Sequence, residues 1–311
     1  MRKTAFLFPG QGAQYVGMGR SFYEKYDAVR QYFKTAQEVT GIDVAALCFE
    51  ENEALNQTEY TQIAMYTTEC AILHVLQEKR ISYEAAAGLS LGEYAALTAA
   101  GALSFKDGCH VIRRRGIYME QAVPEGQGSM AAVLGLSAKQ TEEVLKTSLD
   151  TAKIGIANYN CPGQIVITGD KEAVANAAPA LKEAGAKRVI PLNVSGPFHS
   201  IYLKEAGEKL YEALSKVTLG ELKIPYVTNV DASIIKDTER TKELLKEQVY
   251  SSVLWEQSIR AMIADGVDIF VEIGPGKTLS GFMRKIDKSV KMFRIGTMEE
   301  VEKTVEAIKE L

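Results

Sequence analysis

Apolar and polar positions change period several times along the chain, and each change marks an element. Residues 4–8 form a short apolar run that Pro9 and Gly10 cut off, which predicts a buried strand and then the loop Pro9-Gly10-Gln11-Gly12-Ala13-Gln14. Helical spacing follows to about residue 80, as in TECAILHVLQEK. A short strand at about 83–87 leads into GLSLG, and helical spacing returns over 92–100 and about 105–122. The turn-rich stretch Val123-Pro124-Glu125-Gly126-Gln127-Gly128 then changes the texture. Beyond it MAAVLGL reads as a strand and SAKQTEEVLKTSL as a helix whose Ser137 and Gln140 fit a capping box. KIGIANYN is a strand, CPG a turn, QIVITGD a strand, KEAVANAAPALKEAG a helix and AKRVIPLNV a closing strand. The order βαββαβ predicts a ferredoxin-like domain inserted over residues 128–195.

The outer segments alternate differently. Residues 201–217 have the spacing of an amphipathic helix, IPYVTNVD reads as a strand with a turn, and a helix is expected around 241–250. VDIFVEIGPGKTLSGF then reads strand, tight Gly-Pro-Gly turn, helix. Strands alternating with helices imply a parallel sheet covered on both faces. The expected fold class is α/β, with residues 1–127 and 196–311 forming an α/β-hydrolase-like large domain around the insertion.

Composition narrows the function classes. The 311 residues carry a net charge of −4, which gives no general attraction to nucleic acid or to an anionic membrane. Four cysteines without a CxxC pair suggest neither a disulfide framework nor a metal cage, and a reducing cytoplasm is expected. The apolar run in MRKTAFLFPG is too short for a signal peptide, and no stretch approaches a membrane-spanning length.

Candidate chemistry starts at Gly88-Leu89-Ser90-Leu91-Gly92. G-x-S-x-G between a strand and a helix is the nucleophile-elbow pattern, in which a side chain at either glycine would clash and the serine is held strained. Ser90 would then sit at a helix N-terminus, where N–H groups stabilise negative charge. The alternative is a serine that happens to have glycine neighbours. The Gly10-x-Gly12 loop lacks the third glycine of a dinucleotide fingerprint, since that position is Tyr15. It can still bring backbone N–H groups to a site.

Ser90 needs a base, and the chain offers only His74, His110 and His199. His74 and His110 lie within helical patterns and suit structural or surface roles. His199 follows Ser195-Gly196-Pro197-Phe198, a loop between the insertion and the next helix, where sites gather and where an imidazole is more easily kept neutral. On the helix near 105–122, at about 100° per residue, Gly108, Val111, Ile112, Tyr118, Met119 and Ala122 make one stripe with Arg115 near its centre. Arg113 points almost opposite and Arg114 to one side, as solvated residues. A guanidinium aimed inward needs an anion, supplied either by an internal carboxylate or by a substrate.

FPGQGAQYVGMG (8–19), GLSLGEYAAL (88–97), RRRGIYMEQAVPEG (113–126), NYNCPGQIVITG (158–169), VSGPFHS (194–200) and EIGPGKTLSG (272–281) together resemble the malonyl-CoA:acyl carrier protein transacylase family over essentially the whole chain. The resemblance implies Ser90 as nucleophile, His199 as base, the backbone N–H groups of Gln11 and Leu91 as oxyanion hole, and Arg115 as holder of the malonyl carboxylate. It implies that a main-chain carbonyl near Gln248 orients His199, and that Gln62 and Asn160 line the site. Phe198 resembles the malonyl-selective form. The implied partners are malonyl-CoA and acyl carrier protein, with no cofactor or metal and a monomeric state. Lys187, Arg188, Arg284, Lys285, Arg113 and Arg114 are candidate contacts for an acidic carrier. Most relatives place histidine before the nucleophile, where this chain has Leu89. A polyketide-pathway acyltransferase, a serine hydrolase and a non-catalytic carrier-binding module remain alternatives.

Overall fold

The computed structural model describes residues 2–124, 126–148 and 150–310. Glu125, in the turn-rich stretch, and Leu149, at the end of a predicted helix, lie outside the described residues. The chain begins β1 (Lys3–Phe8), α1 (Arg20–Lys25), α2 (Asp27–Thr40), α3 (Val44–Phe49), α4 (Thr58–Glu78), β2 (Ala85–Gly88), α5 (Gly92–Ala99) and α6 (Phe105–Glu120). It continues β3 (Gly128–Leu134), α7 (Ala138–Ser148), β4 (Ile154–Cys161), β5 (Gln164–Asp170), α8 (Lys171–Glu183) and β6 (Arg188–Pro191). The last part is α9 (Lys204–Ser215), β7 (Tyr226–Val227), β8 (Ile234–Ile235), α10 (Thr241–Gln248), α11 (Trp255–Ala264), β9 (Val267–Ile273), α12 (Thr278–Ile286), β10 (Lys291–Ile295) and α13 (Met298–Lys309).

These strands make a six-stranded sheet, ordered β10-β9-β1-β2-β7-β8, and a four-stranded sheet, ordered β4-β5-β3-β6. The large sheet is parallel from β10 to β7, with β8 antiparallel at its edge. Its inner strands read as continuous apolar runs because both faces are covered. Alternate residues of β1 go to opposite layers: Phe6 and Phe8 pack with α4 and α5, while Ala5 and Leu7 pack with Trp255 and Phe282. α4 is buried nearly all round, so it serves as a core helix rather than a surface one. The small sheet is antiparallel, with its first and third strands in the middle, as the βαββαβ order predicts.

The small sheet joins the larger part of the fold at a backbone seam on Val253, which lies between α10 and α11 and outside the large sheet. Tyr159 N–H donates to Val253 O at 2.9 Å, and Val253 N–H donates to Ala157 O at 2.7 Å. Capping at Ser137 is as expected, with Gln140 N–H donating to Ser137 Oγ at 3.3 Å and Ser137 N–H to Gln140 Oε1 at 3.0 Å.

The predicted helix over 201–217 is instead a short 3-10 turn at Ile201–Leu203 followed by α9. α11, β10 and α13 have no counterpart in the sequence reading. β10 is an edge strand, and its mixed sequence KMFRI lacks the uniform apolar signature of the inner strands.

Candidate active site

β2 ends at Gly88 and α5 starts at Gly92, so the chain must reverse within three residues. Ser90 takes up the turn with φ of 53°, a left-handed conformation that is strained for a residue other than glycine. A Cβ at Gly88 would fall into the Gly92 carbonyl, and one at Gly92 would fall into the Phe8 carbonyl. Both glycines are therefore required by close backbone approach. Asn229 locks the turn from outside: Ser90 N–H donates to Asn229 Oδ1 at 2.6 Å, and Asn229 Nδ2 donates to Gly88 O at 2.7 Å.

Ser90 Oγ lies 2.8 Å from His199 Nε2. On the other side of the ring, Nδ1 faces two carbonyl oxygens, Gln248 O at 2.8 Å and Ser251 O at 3.2 Å. Carbonyls only accept, so the ring proton sits on Nδ1 and Nε2 is left to accept from the serine. Burial, and then the Arg115 cation, push the His199 pKa down to about 4. The imidazole is thus neutral, and free to take a proton, throughout the neutral range.

Arg115 lies in the same cluster and is 1 % exposed. Its Nη1 donates to Gln62 Oε1 at 2.7 Å, and its Nη2 donates to Gln248 Oε1 at 2.9 Å and to Ser90 Oγ at 3.0 Å. The Tyr94 ring lies 5.4 Å from the guanidinium carbon. Nε has no hydrogen-bond partner, and no ion pair involves this arginine among the described residues. The internal-carboxylate alternative for Arg115 is therefore not realised by direct contact.

A cavity of about 100 Å³ opens beside these groups. Gln11, Leu91, Gln62 and Phe198 line it with Ser90, Arg115 and His199. The backbone N–H groups of Gln11 and Leu91 take part in no hydrogen bond within the protein among the described residues. Gly10 brings the loop against the elbow, since a Cβ there would meet Leu89 O at 2.6 Å. Leu89 also lines the cavity and packs against the layer that holds Leu7 and Trp255, so it forms an apolar wall between loop and turn.

Asn160 corrects the expectation from sequence. It is buried with Oδ1 unpartnered and does not line this cavity, whereas Asn158 does. β4 shifts register between Ile156 and Asn158 and again between Tyr159 and Cys161, and such irregularities re-aim side chains. Arg113 is a second correction. It is not a solvated residue but pairs with Glu59 at 2.8 Å and ties α6 to α4.

Three contributions were missed from sequence: Asn229, the Gln248 side chain, and Glu93. Gln248 Nε2 donates to Ser90 O at 2.9 Å and to Glu93 Oε2 at 2.6 Å. Glu93 is fully buried, and its Oε2 also accepts from Asn229 N–H at 3.2 Å. Burial pushes the Glu93 carboxyl up to about 7, against the lowering effects of Gln248, Asn229 and Arg115. The available signal was the Glu of GLSLGEYAAL, which lies in the first turn of an otherwise apolar helix.

The geometry agrees with comparisons to known proteins. A family model described as acyl transferase domain matches residues 5–305. The chain is 45% identical over 312 residues to a malonyl CoA-acyl carrier protein transacylase of Bacillus subtilis, covering 100% of this chain and 98% of the relative. The crystal structure of a malonyl CoA-acyl carrier protein transacylase from Clostridium perfringens superposes with a TM-score of 0.95 at 43% identity, covering 99% of this chain and 98% of that one. A structure described as a type II PKS acyl-carrier protein in complex with its malonyl-transacylase superposes with a TM-score of 0.95 at 36% identity, covering 98% and 99%.

Proposed function

The chain belongs to the acyl transferase domain family, and on that premise we propose that it moves a malonyl group from coenzyme A to the phosphopantetheine thiol of acyl carrier protein in fatty-acid biosynthesis. The observation that carries the choice of acyl group is Arg115. A buried guanidinium held only by neutral acceptors, 3.0 Å from the Ser90 hydroxyl, suits an acyl chain ending in a carboxylate.

Ser90 Oγ attacks the thioester carbonyl while its proton passes to His199 Nε2. The oxygen of the tetrahedral intermediate is stabilised by the Gln11 and Leu91 N–H groups, which have no competing partner. The C–S bond breaks, and the thiolate of coenzyme A takes the proton from His199. In the second half the carrier's thiol gives its proton to His199 and attacks the malonyl-serine ester, and Ser90 Oγ leaves and recovers the proton. The Gln248 and Ser251 carbonyls orient the ring and face the imidazolium N–H, the role that acidic side chains have in other triads. The reaction needs no cofactor or metal.

Lys187, Arg188 and Lys285 offer one docking strip for an acidic carrier. Leu134 is paired with both Arg188 and Gln164, Lys187 N–H donates to Leu134 O at 2.8 Å, and Lys285 Nζ donates to Gln164 Oε1 at 3.4 Å. The strip runs along β6 toward Leu192 and Val194 at the cavity. Arg113 is occupied by Glu59 and drops out of the docking set.

Intact-protein mass spectrometry after exposure to malonyl-CoA tests the reaction. A malonyl adduct on Ser90 that persists until carrier is added is expected, with none in Ser90→Ala. No adduct overturns the reading, and continuous release of free malonate without carrier replaces it with a hydrolase.

A further inference from the structure

We propose that Glu93 balances the charge of this site, so that seating an acyl carboxylate against Arg115 is coupled to uptake of a proton by Glu93. This rests on the reading of Arg115 as the carboxylate holder. The Gln248 amide joins the two charges: its Oε1 accepts from Arg115 Nη2 at 2.9 Å, and its Nε2 donates to Glu93 Oε2 at 2.6 Å. Both ends of the bridge are buried, Glu93 completely and Arg115 to 1 % exposure. Above neutral pH the empty site therefore holds one cation and one anion, both buried and separated by one side-chain amide.

A substrate carboxylate adds a second anion to that pair. Three buried charges with a net negative sign cost more than two that cancel, and the cheapest remedy is for the internal carboxylate to become neutral. Glu93 is built to do so without disturbing its neighbours. Its Oε2 accepts both hydrogen bonds, from Gln248 Nε2 and from Asn229 N–H, while Oε1 has no partner. A proton on Oε1 removes the charge and leaves the Oε2 bonds, and with them the Gln248 and Asn229 contacts to Ser90, in place.

No other group facing Glu93 competes for the role. Arg115 from α6 stays charged in the neutral range. The Tyr94 hydroxyl beside it on α5 and the Tyr226 hydroxyl from β7 are both pushed up by burial and stay neutral. His199, linked through Gln248 of α10, is neutral above about 4. Thr228 and Asn229, after β7, do not titrate. Burial has already brought the Glu93 carboxyl to about 7 in the empty site, so a nearby second anion carries it further up. By linkage, affinity for a carboxylated acyl group weakens as pH rises above that value, at most by about tenfold per pH unit.

The test uses Ser90→Ala, which binds without turnover. Calorimetric titration with malonyl-CoA at about pH 8, in two buffers of different ionisation enthalpy, reads the protons taken up. Acetyl-CoA carries the same phosphates and lacks the terminal carboxylate. Malonyl-CoA is expected to take up more protons than acetyl-CoA, and Glu93→Gln in the same background is expected to abolish the difference. In otherwise unchanged enzyme, KM for malonyl-CoA should climb above neutral pH, and in Glu93→Gln it should stay flat. Equal uptake for the two thioesters, or a KM profile that Glu93→Gln leaves unchanged, overturns the proposal. The uptake comparison does not depend on how Glu93→Gln folds. Absence of the malonyl-Ser90 adduct in unmodified protein would instead strike the transfer reading.

Discussion

Two arginines on one helix, two positions apart, live in opposite circumstances. Arg113 lies on the outer flank of α6, its side chain 20% exposed, paired with Glu59 Oε2 at 2.8 Å and with the Glu59 carbonyl at 2.9 Å. Arg115 lies on the inner face, fully buried, with neutral acceptors and no carboxylate in contact. The difference teaches how to read a buried cation. Where the fold supplies the anion, the arginine joins elements; where the fold supplies only oriented amides and a hydroxyl, the arginine is left for an anion from outside. Arg115 differs from Arg113 less by burial alone than by the incompleteness of its partners, down to an unpaired Nε.

The largest effect should come from removing the inner arginine. Arg115→Ala is expected to lower kcat/KM for malonyl-CoA by about a hundredfold or more, the loss of a charge-assisted paired contact, while transfer from acetyl-CoA does not fall. Parallel loss with both thioesters would mean that Arg115 merely supports Ser90, and the contrast with Arg113 would lose its functional meaning.

A smaller effect tests the arginine's field. The neutral imidazole is the working form, so activity is lost as pH falls through the His199 value of about 4. Arg115 is the second cause of that low value after burial. Arg115→Gln should therefore move the acid limb of residual acetyl transfer upward, part of the way toward 6.5, and Arg113→Gln should not move it. Stability follows the same sign. The contribution of a histidine held neutral is complete above 6.5 and is lost as pH falls toward about 4, a change of about 3 kcal/mol that acid denaturation can follow.

The smallest effect belongs to the outer arginine. Arg113→Ala should leave malonyl kcat/KM within about twofold and cost about 1 kcal/mol of stability, read from denaturant unfolding. A large loss of activity there would erase the distinction between the two positions.

What the sequence disclosed follows from how local each signal is. Ser90 is legible because its constraint lies in its own neighbours: Gly88 and Gly92 touch backbone within and beside the turn. Arg115 is legible because helix geometry alone places it inward. Asn229 and Glu93 were not, because their partners lie 136 to 155 residues away, across several elements, and an Asn after a short strand looks like an ordinary turn residue. Asn160 was named from its motif alone and Asn158 was not singled out, because a motif does not say how an irregular register aims neighbouring side chains. The inner strands of the large sheet announce themselves by apolar runs, whereas β10, at its edge with a half-exposed, charge-bearing sequence, does not.

The seam at Val253 carries a consequence for motion. It fastens β4 to the segment just after Tyr250, close to the carbonyls that hold His199. The small sheet is thus pinned, beside the base, to the segment between α10 and α11 that carries Ser251 and Val253. On the far side of the cavity the loop Gln11–Gln14 faces Leu192–Val194 across a groove of about 350 Å³, spanned nearby by the hydroxyl pair Thr58 and Ser195 at 3.2 Å. Local opening is therefore expected to start at the weakly tied end, away from the paired serine, histidine and arginine.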